Sequence, residues 1–394
     1  MTPAAAAIAG IHEFPGRVAG GLSPLQIKAE CAAKALENAG LTWADVDAVY
    51  DASEAGPMQG LTIAEYFGVT PRVVDTTAVG GSSYEFHAAH AVRDIAAGQA
   101  SVALLTYGST AHSESRAIGT GPRPSAGPHP AYNMERPYGL TLIGNYALVA
   151  RRHMAQYGTT PEQLAEIAVT TRRHAVRNPQ AVAGLADIGI RKHGEITVDD
   201  VLGSRLIADP LHLLECCIVS DGGGAVVIVS PAVAAGIRTP PVWILGTGEA
   251  VGYPGYGADI TTTAAVRSGT EAFGRAGVRP GEIDIAMIYD SFTITVLTIL
   301  EDLGFAKKGE GGALAATGCL AFDQPGGPAL NTDGGGLSSN HPGMRGIFLL
   351  IEATRQLRGE STAQVPGARL AVAHGNGGLL GTRHAAATIV LGRE

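Results

Sequence analysis

One histidine, His341, stands in the run Asn331-Thr332-Asp333-Gly334-Gly335-Gly336-Leu337-Ser338-Ser339-Asn340-His341-Pro342-Gly343. A glycine-rich turn of this kind brings backbone N–H groups close to a ligand and points one imidazole at it. That arrangement suits stabilising a negative charge that develops on an oxygen. The plainer reading is a surface turn whose histidine caps the apolar helix pattern from Ile347 to Leu357; three adjacent glycines with His-Pro weigh against it. Tyr289 and Asp290 close a buried apolar run, Ile285–Ile288. The C-terminal ends of such strands are where sites in parallel sheets are built. A phenol there can move a proton, or it can simply satisfy a backbone carbonyl.

Ser82 and Ser83 follow Gly80-Gly81 at the start of a helical run. Either is a candidate acyl-accepting nucleophile with His341 or His374 as base, and serine at a helix start is also a common N-cap. Asn376, between Gly375 and Gly377, can donate a hydrogen bond within a site or adopt a left-handed turn. Arg172, Arg173 and Arg177 are candidates for binding phosphates. The last two, four apart, share a helix face and read equally well as an exposed basic surface. His87 and His90 have no carboxylate cluster beside them in the sequence to make a metal site, so polar helix packing is the expectation. The four cysteines are Cys31, Cys216, Cys217 and Cys319; they fit neither a disulfide framework nor a zinc site.

These residues need elements to hold them, and the chain contains the same pattern twice. Ala35–Gly40 leads through Asp45-Val46-Asp47 to Ala48-Val49-Tyr50-Asp51; Ala272–Gly277 leads through Glu282-Ile283-Asp284 to Ile285–Asp290. Ala39 and Ala276, like Asp47 and Asp284, are 237 positions apart, so the register holds up to the strand. In each copy a helix ends at Ala-Gly, an acidic turn follows, and a buried strand finishes at Tyr-Asp. Two further helix–Gly–strand units, Ser82–Tyr107 and Gly346–His374, repeat the theme. Alternating helices and continuous apolar strands imply parallel sheets covered on both faces, and two such halves packed together give a layered α/β/α/β/α body. The expected division is a half over about residues 1–235 and a second over about 236–394. A more polar inserted cap, from about 110 to 206, is expected in the first.

Composition sets outer limits. The 394 residues exceed one core, 45% hydrophobic against 16% charged residues describes a well-buried globular protein, and a charge of −8 argues against a nucleic-acid partner. No apolar run approaches membrane-spanning length. The N-terminal stretch reads as a first strand rather than a signal peptide, so a soluble cytoplasmic protein is expected.

Taken together the segments resemble the thiolase superfamily over nearly the whole chain. Asn331, Gly334, Gly335, His341 and Pro342 match its histidine signature N-x-x-G-G-x-x-A-x-G-H-P, while Ser338 and Asn340 depart from it and the turn is one residue shorter than H-P-x-G. Asp221–Ala225 is similar to D-G-A-A, Tyr289–Phe292 takes the place of N-E-A-F, and Gly375–Gly378 that of C-x-G-G. Leu300–Gly304, Lys307–Gly311 and Gln356–Gly359 look like the lipid-transfer, sterol-carrier-type branch. The family's nucleophilic cysteine corresponds to Gly81 and its acid/base cysteine to Gly375, so a double-displacement Claisen cycle is not expected.

The resemblance implies an enzyme acting beside a coenzyme A thioester, with no tightly bound cofactor. The preferred chemistry is a cysteine-independent (retro-)aldol reaction on a 3-hydroxyacyl-CoA, with His341 at the oxyanion and Tyr289 moving a proton. Cysteine-lacking aldolases of the branch share the Tyr-Asp-x-Phe-Thr pattern of Tyr289–Thr293; where they use a second tyrosine, this chain has Ser339-Asn340-His341. Alternatives are acyl transfer on a 3-ketoacyl-CoA through Ser82 or Ser83, and a non-catalytic acyl-CoA-binding subunit. The substrate loop is expected to include Gly81, Asp290, His374, Gly375, Asn376 and Gly377, with Asn340 beside the histidine. A homodimer and a small zinc-ribbon/OB-fold partner that binds acyl-CoA are also implied.

Overall fold

Residue alternation along single strands explains the layers. In the computed structural model, which describes residues 4–52, 56, 58–117, 139, 141–253, 258–380 and 383–393, β4 (Val102–Ser109) sends Val102 and Leu104 into one apolar cluster and Ala103, Leu105 and Tyr107 into another. A period of two with both faces apolar is the signature of a strand buried on both sides. The same division holds for β7 (Gly222–Val229), β9 (Ile285–Ile288) and β12 (Arg383–Gly392).

Five strands run in the order β3 (Val73–Asp75), β2 (Ala48–Asp51), β4, β7, β1 (Ala7–Glu13). Five more run β10 (Ala329–Leu330), β9, β11 (Leu370–Leu379), β12, β8 (Val242–Gly252). The two orders correspond strand for strand, and they join edge to edge where Ala7 and Ile8 of β1 pair with Trp243 and Val242 of β8. A small separate hairpin, β5 (Leu206–Ala208) with β6 (Leu211–His212), follows the insertion.

Helix α1 (Pro24–Ala39), begun by a Ser23–Gln26 capping box and ended by Gly40 in the left-handed region, covers the outer face of the first set. Helices α2 (Ser83–Ala96) and α7 (Gly346–Arg358) fill the layer between the sets, where the inner faces of both share one cluster. Helices α5 (Ala265–Ala276) and α6 (Thr293–Asp302) cover the outer face of the second set. The result is an α/β/α/β/α order of thiolase-like type.

Part of the expected cap, residues 118–138 and 140, lies outside the described residues. The rest forms α3 (Leu142–Tyr157) and α4 (Pro161–Ala175), started by Thr141 and Thr160 as N-caps. They pack on the cluster around α6 and onto the glycine turn. Among the described residues no helix is long and apolar enough to cross a membrane.

Candidate active site

Asn331 starts the histidine turn with a left-handed φ of 45°, and its amide anchors the turn to β9 by accepting from Ile288 N and donating to Ile288 O, both at 2.8 Å. Gly334 has φ 103° and lies where a Cβ would be 2.5 Å from the Ala175 Cβ, so only glycine lets α4 pack this close. Asp290 then accepts from Gly336 N at 2.7 Å and Leu337 N at 3.2 Å. Arg345 closes the loop: its Nε donates to Asp290 at 3.1 Å, its Nη2 to both Asp333 oxygens at 2.7 and 2.6 Å, and its Nη1 to Asn340 O at 2.9 Å. All three charged side chains are buried. Burial pushes Asp290 up to about 6, against the pull of Arg345. This triad fixes the turn.

The fixed turn points the imidazole at one group. His341 Nε2 lies 3.1 Å from Tyr289 Oη, and the phenol also donates to Gly343 O at 3.0 Å. Burial, with Arg345 nearby, lowers His341 to about 3, so the ring is neutral at neutral pH; burial likewise pushes the Tyr289 phenol well above its ordinary range. On the far side Tyr107 donates to Pro342 O at 2.8 Å and accepts from Met344 N at 2.9 Å, clamping the turn from β4.

Glycines make room for this pair. A Cβ on Gly81 would stand 2.3 and 2.4 Å from Tyr289 ring atoms and 2.5 Å from Asn376 O. The tyrosine ring therefore occupies the volume that any side chain at 81 would need. A Cβ on Gly375 would be 2.2 Å from a Glu85 oxygen, and one on Gly377 would be 1.9 Å from Val79 O. Both positions where the resemblance sought a cysteine are glycines whose neighbours have grown into the gap.

Several expected residues are placed elsewhere. Ser82 Oγ donates to Ala385 O at 2.9 Å, and Ser83 Oγ donates to Gly80 O at 2.6 Å while accepting from Val79 N. Both hydroxyls serve backbone around the helix start, and neither bonds to a histidine. Asn340 spans Glu13 and Ser220, at 3.1 and 3.2 Å, and so braces the back of the turn. His374 bonds Thr388 Oγ1 at 2.8 Å on the outer face of β11, opposite the face of Gly375. The amide of Asn376 is committed to Tyr146 Oη at 3.1 Å and His384 Nε2 at 2.6 Å. Arg172 is a correction: it is 1% exposed and tied to Ser338 Oγ and Lys192 O, both at 2.8 Å, in the wall behind the turn, where no solvent-borne phosphate meets it. Arg173, paired with Asp323 at 2.7 Å, and Arg177, over the Phe322 ring, remain at the surface.

The sequence reading missed five participants. Arg345 had a signal, because two acidic residues in a buried turn demand a cation. Glu85 had a weaker one, a carboxylate one helical turn after Gly81. Tyr146 and His384 had none, since the fold alone brings them to Asn376. Cys217 was read as core packing; it is buried, and its N donates to Ser291 O at 2.9 Å. Burial holds its thiol well above its ordinary value, which keeps it a poor nucleophile. His90 bonds Asp75 and Glu249. Among the described residues no group of three or more His, Cys, Asp or Glu is arranged to hold a metal ion.

Comparisons with known proteins agree with the fold. Residues 254–393 match the family model described as thiolase C-terminal domain-like. The chain is 33% identical to an acetyl-CoA acetyltransferase of Methanothermobacter thermautotrophicus over 88% of its own length and 90% of the relative's. It is 33% identical to a steroid side-chain-cleaving aldolase of Thermomonospora curvata over 92% of the chain and 93% of that protein. A solved structure titled Ltp2-ChsH2(DUF35) aldolase superposes with a TM-score of 0.87 at 30% identity, covering 100% of this chain and 99% of the other.

Proposed function

This chain belongs to the thiolase superfamily, and from that premise we propose that it makes or breaks the C–C bond beside an acyl-CoA thioester by (retro-)aldol chemistry on a 3-hydroxyacyl-CoA, without a cysteine nucleophile. The observation that carries the reading is the Tyr289 hydroxyl held on a neutral His341 above Gly81, in the volume where a side chain at that position would stand. In the cleavage direction the phenol turns its hydrogen from Gly343 O to His341 Nε2, and the β-hydroxyl proton passes to Tyr289 Oη as the tyrosine's own proton moves to Nε2. The C–C bond breaks, the new carbonyl compound leaves, and its electron pair becomes the thioester enolate. Burial disfavours an isolated imidazolium, but here it forms together with the enolate, so the two charges offset one another.

Coenzyme A enters as part of the substrate. Arg173 and Arg177, at the surface, are the residues assigned to its phosphates. A homodimer is supported by the edge strand β3, whose Val74 is exposed, as are Met58, Leu61 and Tyr66 earlier in the chain. A small zinc-ribbon/OB-fold partner is supported by the paired name of the neighbouring aldolase structure. The repeated strand order supports a division near residue 235, and four buried free thiols support a reducing, cytoplasmic setting.

The test is mass spectrometry of products from matched 3-hydroxyacyl-CoA and 3-ketoacyl-CoA panels, with and without free CoA. Cleavage of the hydroxy series to a carbonyl compound plus a shorter acyl-CoA, with no CoA consumed, is expected. Consumption of CoA with the keto series would replace the aldol reading by acyl transfer. No turnover in either panel, repeated with any small chain that co-purifies, would leave a binding subunit.

A further inference from the structure

The carboxyl of Glu85 is fully buried, and neither oxygen has a hydrogen-bond partner among the described residues. It lies in a slot walled by glycines: a Cβ on Gly375 would stand 2.2 Å from Oε2, and one on Gly346 would stand 2.4 Å from Oε2 and 2.6 Å from Gly81 O. Through Gly81 the slot adjoins the Tyr289 ring. An unpartnered buried carboxyl costs on the order of 1–3 kcal/mol even when neutral, and an apolar residue would fill the slot at less cost. Such a group, kept in a cleft beside reacting residues, is a candidate for proton transfer. Burial raises Glu85 well above the ordinary carboxylate range, which favours its protonated form.

We propose that Glu85 is a third catalytic residue, the acid that exchanges a proton with the α-carbon of the acyl-CoA thioester. This rests on the aldol reading, which leaves an enolate with no hydrogen source assigned. The enolate's C=C electron pair takes the proton from Glu85, forming the new C–H bond, while the oxyanion pair restores the thioester C=O. Glu85 is left as a carboxylate and His341 as an imidazolium; transfer of one proton between them through solvent returns the enzyme to its starting state. In the condensation direction the same carboxylate removes the α-proton.

The experiment needs no C–C cleavage. Wild-type protein and the isosteric Glu85→Gln variant are incubated with propionyl-CoA in D2O, and deuterium at the α-carbon is followed by mass spectrometry. Wild type is expected to incorporate deuterium and Glu85→Gln to do so at least ~100-fold more slowly, with an unchanged thermal midpoint. Glu85→Asp, which draws the carboxyl back by one methylene, is expected to fall between them, and it carries the comparison if the glutamine variant does not fold. Absence of exchange in wild type, or equal rates in wild type and the folded variants, overturns the proposal. Exchange that depends on Glu85 in a protein that cleaves no 3-hydroxyacyl-CoA upholds it and removes the aldol reading instead.

Discussion

Tyr50-Asp51 closes β2 and Tyr289-Asp290 directly follows β9, its equivalent in the second strand set, yet the two pairs do different work. Tyr50 donates to Asp94 at 2.6 Å, and Asp51 accepts from Lys28 at 2.8 Å and Thr106 at 2.8 Å. Both are fastened to their own half as buried struts. Tyr289 instead meets a neutral imidazole, and Asp290 holds the loop that carries it. The cause lies in two residues. The offset between the copies is 237 up to Asp47 and Asp284 but 239 at Tyr50 and Tyr289. Two residues are one full pleat, about 6–7 Å of rise, so Tyr289 keeps the same inward face as Tyr50 but stands beyond the strand end. Both rings indeed line the middle layer. A tyrosine beyond the strand end can reach the loops, where parallel sheets build their sites.

The largest expected effect separates the two tyrosines. Tyr289→Phe should lower C–C cleavage by ~10²–10⁴-fold, the usual worth of a positioned acid–base group, while Tyr50→Phe should leave kcat intact and cost about 1–2 kcal/mol of stability. Steady-state kinetics with thermal melts of both variants checks this, and equal kinetic effects would erase the contrast.

Next comes Arg345→Met, which strands the Asp290 and Asp333 carboxylates in the core. A loss of about 3–5 kcal/mol in a urea melt is expected, as for other buried ion pairs with one partner removed.

The smallest effect, per group, is with pH. Burial lowers His341 and His374 to about 3 and His384 to about 4, all in the second half. A folded pKa below the unfolded value means that the unfolded chain binds more protons between roughly pH 4 and 6.5. Stability should therefore be complete above about pH 6.5 and fall by about 2 kcal/mol per histidine at pH 5. Thermal midpoints from pH 8 to 5 measure it; a flat profile would mean that these rings are not held neutral. His90 works the other way. Burial pulls it down, but bonds to Asp75 and Glu249 outweigh that and hold it up to about 9, so its contribution is present at low pH and lost as pH rises through 9.

Much of the fold was legible because it rests on local, repeated signals. The end of α1 at Gly40, the span of α7 and its stop at Gly359, and a buried strand over Ile285–Ile288 follow from apolar period and left-handed glycines, although the strand stops one residue before the expected Tyr289-Asp290 end. In the site, the histidine turn and the missing cysteines were legible for the same reason: residue types in a short run limit which chemistry is open.

What only the tertiary structure decided is which side chains share a volume. The sequence alone allowed Ser82, His374, Asn376 and Arg172 equally well; their partners come from Ala385, Thr388, Tyr146 with His384, and Ser338, up to 303 residues away. Likewise, nothing in the chain order says that Tyr289 fills the gap left at Gly81, or that Glu85 fills the one left at Gly375. Close packing sets those neighbours, and a vacated volume in a dense core is taken by whatever the fold brings beside it.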